Sequence, residues 1–134
     1  MSQENVELVR RSWQAFADEG LDALMEFCDR EIDWRAIEGA PDDVGEMQGT
    51  EAVRRYYQDW LDTFEDITTN PTELLDVGDD RVVALLHVTG RARLSGIATE
   101  LRYAVVYTLR GGKILHGREY ADRQEALKAV GLEE

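Results

Sequence analysis

Apolar residues Val53, Tyr56, Tyr57, Trp60, Leu61 and Phe64 recur at the i, i+3, i+4, i+7, i+8 and i+11 positions of one helix face. The stretch opens at Gly49-Thr50-Glu51-Ala52-Val53 and predicts a helix running to Phe64. Two helical patterns precede it. Val6, Val9, Trp13, Phe16 and Ala17 stripe a helix from about Gln3 to Asp18, with Gly20 as a left-handed stop. Leu21, Leu24, Met25, Phe27 and Cys28 predict a short second helix, and Ile32 to Ile37 alternates as a half-buried strand does. From Thr72 the period changes to two. Strands are expected over Thr72–Val77, Arg81–Leu94, Ala98–Arg110 and Lys113–Tyr120, with turns at Gly78-Asp79-Asp80, Ser95-Gly96 and Gly111-Gly112. Asp122 and Glu125 have capping-box spacing and open a C-terminal helix whose apolar face is Ala126, Leu127 and Val130. Helices followed by a curling sheet predict a single α+β domain over 1–134, with the helices packed on one sheet face. Such a fold often encloses a pocket, which points to small molecules.

Length and composition narrow the function classes. The 134 residues suit one core, and the hydrophobic share of 43% is ordinary for a globular domain. No apolar run approaches the ~20 residues of a membrane span. The start, Met1-Ser2-Gln3-Glu4, is polar and acidic, so a cytoplasmic protein is expected. The formal charge of −13 argues against nucleic acid and anionic membrane as partners. A single cysteine, Cys28, excludes an internal disulfide and suits a small core residue of the second helix. No Gly-rich phosphate loop is present, and the two histidines lack a ligand-like spacing, so neither a cofactor nor a metal is expected. The segment Glu38 to Gln48, with Gly39, Pro41, Asp42, Asp43 and Gly45, is long for a compact domain. It reads as the lid or mouth of a site, or as a plain surface loop.

The chain resembles the SnoaL-like branch of the nuclear transport factor 2-like superfamily, which includes the ketosteroid isomerases. The resemblance rests on Gly20-Leu21-Asp22-Ala23-Leu24, Gly49-Thr50-Glu51-Ala52-Val53, Leu109-Arg110-Gly111-Gly112-Lys113-Ile114 and Arg118-Glu119-Tyr120-Ala121-Asp122. It implies a cone: a curved mixed sheet wrapped around three N-terminal helices, a short C-terminal helix and a pocket at the open end. It also implies a homodimer through the outer sheet face, and a small apolar or polycyclic ligand. Both catalytic and purely binding members share the scaffold, so function rests on the site.

The site depends on strand parity, because a one-residue slip reverses the faces. If Gly111-Gly112 forms a two-residue loop, Arg110 pairs with Lys113 and Glu119 shares a face with Ala104 and Val106. If Gly112 sits left-handed in a three-residue loop, Leu109 pairs with Lys113. Glu119 then lies beside Tyr103, on the face of Val105, Tyr107, Leu109 and Leu115. The second register gathers the larger apolar groups and is preferred. It sets Glu119 among Tyr103, Tyr107 and apolar side chains, where desolvation would make it a general acid or base. The resemblance adds that the epoxide hydrolases hold a catalytic aspartate at this place. The alternative is a Glu119 paired with Arg102, Arg118 or another basic residue at the rim. His87 is the second catalytic candidate: it faces either the pocket or an outer interface beside His116. Trp34, Tyr56, Trp60 and Met47 line the mouth or fill the core. The constellations of known relatives are incomplete. The ketosteroid isomerase base position falls at Arg35, its tyrosine position falls near Ser12 and Trp13, and the paired epoxide hydrolase positions hold His87 and Thr89. What stays open is cofactor-free isomerisation, cyclisation, dehydration or hydrolysis, against a non-catalytic binding or dimerisation module.

Overall fold

In the computed structural model, which describes residues 2–41 and 43–132, helices precede strands as the periodicity predicts. Asp42 of the long loop lies outside the described residues. Helix α1 spans Ser2–Glu19 and buries Leu8, Val9, Trp13 and Phe16. Ser12 is buried with them, its hydroxyl donating to the Val9 carbonyl at 2.7 Å, whereas Ala17 faces solvent. Gly20, at φ 93°, closes the helix by donating its N–H to Phe16. Helix α2 covers only Leu21–Met25. Phe27 and Cys28 leave the expected helix because the sheet captures them: the Ile114 N–H donates to the Phe27 carbonyl, and Cys28 pairs with Ile114. Cys28 thus opens strand β1 (Cys28–Arg35). Strand β2 is Met47–Gln48, and helix α3 runs Thr50–Thr63 with Val53, Tyr56 and Tyr57 buried.

Strand β3 (Phe64–Gly78) begins where α3 ends, well before the expected Thr72. It is an edge strand, and there Pro71, which has no N–H to donate, is tolerated. β4 is Arg81–Ala92, β5 Ala98–Arg110, β6 Lys113–Tyr120 and α4 Arg123–Ala129. Asp122 caps α4 by accepting from the Glu125 N–H at 2.9 Å. The six strands form one curved sheet in the order β2-β1-β6-β5-β4-β3, antiparallel except between β1 and β6. Register shifts along β3 and within β5–β6 supply bends of the kind that curl a sheet. The inner face and the three N-terminal helices share the main core, with Trp13, Ile32, Leu86, Tyr107 and Ile114 at its centre. Helix α4 covers part of the outer face, seating Ala126 and Leu127 on Val83 and Ala104.

The last hairpin corrects the preferred register. Arg110 pairs with Lys113, and Gly111 and Gly112 both have positive φ, at 58° and 76°, as a two-residue type I′ turn requires. One step on, the ladder skips: Leu109 pairs with Ile114, but Thr108 pairs with His116. Leu115 is the extra residue of a bulge. That insertion reverses the parity of everything after it, so Glu119 pairs with Val105 rather than Tyr103, on the inner face all the same.

Candidate active site

Glu119 is only 5% exposed and is the one buried acidic residue among those described. Three elements position it. β6 turns its side chain inward opposite Val105. β1 supplies Trp34, whose Nε1–H donates to Oε2 at 2.9 Å. α3 supplies Tyr56, whose hydroxyl lies 3.0 Å from Oε2 and 3.1 Å from Oε1. Both donors are neutral, and both are held by packing. The Trp34 ring meets Tyr57 and Tyr107 edge-on at 5.8 and 5.7 Å, and Tyr56 meets Tyr57 at 5.4 Å. Trp34 pairs with Gly117 across the parallel β1–β6 ladder, and a Cβ at Gly117 would overlap the outer ring of the indole. Glycine there is what lets the indole lie flat on the strand and reach Glu119.

Glu119 forms the inner end of a cavity of about 510 Å³. Ile37, Ala40 and Pro41 of the loop after β1 form one wall. Asp59, Trp60 and Thr63 of α3, with Phe64 and Ile67 of β3, form the next. Val88, Thr89 and Gly90 of β4, with Thr99 and Leu101 of β5, complete it. The volume falls in the range of small-molecule sites, and the walls are mostly apolar.

The loop wall is fastened by electrostatics. Arg35 grips Asp43 with two hydrogen bonds, Nε to Oδ1 at 3.1 Å and a terminal nitrogen to Oδ2 at 3.0 Å. The N–H groups of Gly39 and Gly45 also donate to Asp43. Arg35 first, then these two amides, hold the Asp43 carboxyl well below the usual carboxylate range. For three groups in the interior, burial is the main cause of the shift. It raises the phenols of Tyr57 and Tyr107 above their ordinary values and pushes the Cys28 thiol up to about 12. Tyr107 also accepts a hydrogen bond from Trp13 Nε1–H at 2.7 Å.

Of the eight candidate catalytic and ligand-binding residues, Glu119, His87, Trp34, Tyr56, Trp60, Tyr103, Tyr107 and Met47, only Glu119 and Trp60 line the cavity. Trp34 and Tyr56 hold Glu119 from behind. Tyr103 and Tyr107 are buried in the core, where Tyr103 supports Trp60 with a ring contact of 6.2 Å. Met47 is buried in β2 beside Trp34. His87 is not brought to the site. It pairs with Arg102 on the outer face, which belongs to the opposite parity from Glu119, and its Nε2 lies 2.8 Å from Glu100. The pair His87 and Glu119 therefore does not form. His116 shares the outer face and meets Asp33 at 2.6 Å. Arg102 and Arg118, considered as partners for Glu119, project outward too, Arg118 towards Glu38. Sequence reasoning missed the β4 and β5 wall, which depends on how far the sheet curls. It also missed Gly117, whose signal was present: a glycine inside a strand often marks a close approach.

An α+β cone with a buried carboxylate at the inner end of an apolar cavity defines a class of small cup-shaped domains. The SnoaL-like domain model matches residues 9–117, and the chain belongs to that family. Glu119 lies just beyond the matched segment. Among curated proteins none matches the chain. Several solved structures share the fold. An NTF2-like protein from Burkholderia xenovorans LB400 is 25% identical, with a TM-score of 0.74 and 97% of both chains covered. One from Burkholderia thailandensis E264 is 23% identical, with a TM-score of 0.76 over 94% of this chain and 96% of that one. A Mycobacterium tuberculosis protein, solved in complex with estradiol-17beta-hemisuccinate, is 16% identical, with a TM-score of 0.75 over 89% of this chain and 94% of that one.

Proposed function

We propose that the protein binds a small, largely apolar molecule in the Glu119 cavity and uses that carboxylate to move a proton to or from it. The observation that carries the reading is the placement of Glu119. An acidic group at the inner end of an apolar cavity is shielded from water, and it is oriented by two donors that need not move during proton transfer. Glu119 would take a proton from an acidic C–H or O–H of the ligand and return it at a neighbouring atom, as an isomerisation, cyclisation or dehydration requires. The Mycobacterium tuberculosis protein solved with estradiol-17beta-hemisuccinate is consistent with this scaffold accommodating a small-molecule ligand.

One observation favours binding alone. Among the described residues of the cavity lining, the only ionisable one besides Glu119 is Asp59, which is exposed on α3. A thermal-shift screen of small apolar compounds, run on the native chain and on Glu119→Gln, separates the readings. Glutamine keeps the size of the side chain and an oxygen for the Trp34 donor. If the variant still binds a hit but turns it over about 10²–10⁴-fold more slowly, the proton-transfer role stands. Equal turnover in both proteins would remove Glu119 from the chemistry, and a screen without hits would remove the ligand cavity.

A further inference from the structure

We infer that the cavity selects by charge, taking an apolar amine with its ammonium group at Glu119 and turning away carboxylic acids. The inference rests on the binding half of the proposed function and is independent of catalysis. It starts from the sign of the lining. Among the described lining residues the only ionisable ones are Asp59 and Glu119, and both are acidic. Nearby arginines are engaged outside the cavity. Arg35 holds Asp43, Arg118 meets Glu38, Arg93 meets Glu65 and the Leu61 carbonyl, and Arg91 donates to the Gly96 carbonyl. A ligand carboxylate at the inner end would therefore face Glu119 across low-dielectric walls, with no lining cation to receive it.

The walls suit a cation as well as they oppose an anion. Trp60 and Phe64 line the cavity and present aromatic rings, and a tryptophan face is the best of the aromatic partners for an ammonium group. The Trp60 ring is steadied by a tilted contact to Tyr56 and edge contacts to Tyr57 and Tyr103, so it needs no ordering when a ligand arrives. The apolar residues of the loop and of β4 and β5 receive the hydrocarbon body. The formal charge of −13 adds a long-range field that attracts cations and repels anions before contact.

The test is calorimetric titration of the full chain at neutral pH with three probes of matched shape: phenylbutylamine, phenylbutanol and phenylbutyric acid. The amine should bind at least tenfold more tightly than the alcohol, and the acid should bind weakest. In Glu119→Gln the amine should fall to the level of the alcohol. In Asp18→Asn, at an exposed position of α1 outside the cavity, the amine should keep its affinity within about twofold. An acid that binds as well as the amine in the native protein overturns the inference, whatever the stability of the variants. An amine preference that survives Glu119→Gln overturns it too. If the alcohol and the acid bind but the amine does not, charge selection fails while the ligand cavity stands. If none of the three binds, the binding reading falls and this inference with it.

Discussion

Replacing Gly117 with alanine adds one methyl group, and the geometry makes that group expensive. A Cβ at this position would overlap Cζ3, Cε3 and Cη2 of the Trp34 indole, so either the ring or the β6 backbone must move. The ring is enclosed by Tyr57 and Tyr107, and the strand is paired on both sides by β1 and β5. Overpacking of this kind costs about 1–3 kcal/mol. Moving the indole also breaks its hydrogen bond to Glu119, a further loss of about 1–3 kcal/mol depending on whether the carboxyl is neutral or ionised. Alanine returns roughly 0.5–1 kcal/mol because it has less backbone freedom to lose than glycine. The net expectation is a destabilisation of about 3 kcal/mol. For a chain of 134 residues, unfolding entropy of about 2.1 cal/mol/K per residue converts that into a fall in Tm of about 11 °C.

Thermal and urea unfolding would measure the loss, and a double-mutant cycle would assign it. Trp34→Phe removes the outer indole atoms that the new methyl group strikes. Gly117→Ala should therefore be far milder in that background, with a coupling energy of at least about 1.5 kcal/mol. A loss below about 1 kcal/mol for Gly117→Ala alone would refute the tight seat. So would a cycle that adds within about 0.5 kcal/mol, since independent sites behave that way.

Two further outcomes follow from shifted ionisations. Folding holds Asp43 well below the usual carboxylate range through Arg35, Gly39 and Gly45. The stabilisation it gives the cavity loop is complete above the unfolded value of about 4, and it is lost as pH falls through the lower folded value. Limited proteolysis of the loop at residues 38–48 should accelerate on acidification below about pH 4 in the native chain, whereas Asp43→Asn should be cleaved rapidly already at neutral pH. Protection that is the same in both proteins at every pH would refute the anchor. Burial pushes the Cys28 thiol up to about 12, so it should resist iodoacetamide at pH 8 and react only when the chain is unfolded in urea. Rapid labelling of the folded protein would contradict its placement at the start of β1.

The sequence carried the architecture because periodicity is local. The α3 stripe, the strand alternation and the Asp122 cap each depend on residues within a turn or two of one another. It carried less where pairing partners decide. Phe27 and Cys28 have helical spacing after Leu24, yet the Ile114 segment takes them into the sheet. The polar run Glu65-Asp66-Ile67-Thr68-Thr69-Asn70-Pro71 has no strand signature. It forms β3 because β4 offers it a long edge, and the ladder absorbs Asp66 at φ 54° in a register shift. His87 sits in a run that is apolar on both sides. Its face is set by the β4–β5 register, which adjacent residues do not reveal.

Glu119 shows how a site can be placed on the correct face by a mistaken register. A three-residue turn would leave it inward beside Tyr103. The real two-residue turn, taken alone, would turn it outward opposite Ala104. The Leu115 bulge then adds one residue and turns it inward again, opposite Val105. The displacement matters, because moving the pairing from Tyr103 to Val105 takes the carboxylate further towards the Trp34 side of the core. That is where Gly117 leaves room for the indole, and where α3 aims Tyr56. The bulge, the glycine and the two donors thus act together: the bulge sets the face, the glycine admits the indole, and the donors orient the carboxylate. A β6 that paired Leu115 into the ladder instead of bulging there would exchange its two faces from that point on, carrying Glu119 to the outer surface and the His116 and Arg118 positions towards the core. Such a chain would have to bury basic groups where the carboxylate now sits, so the register of this one strand is enforced by the chemistry it presents.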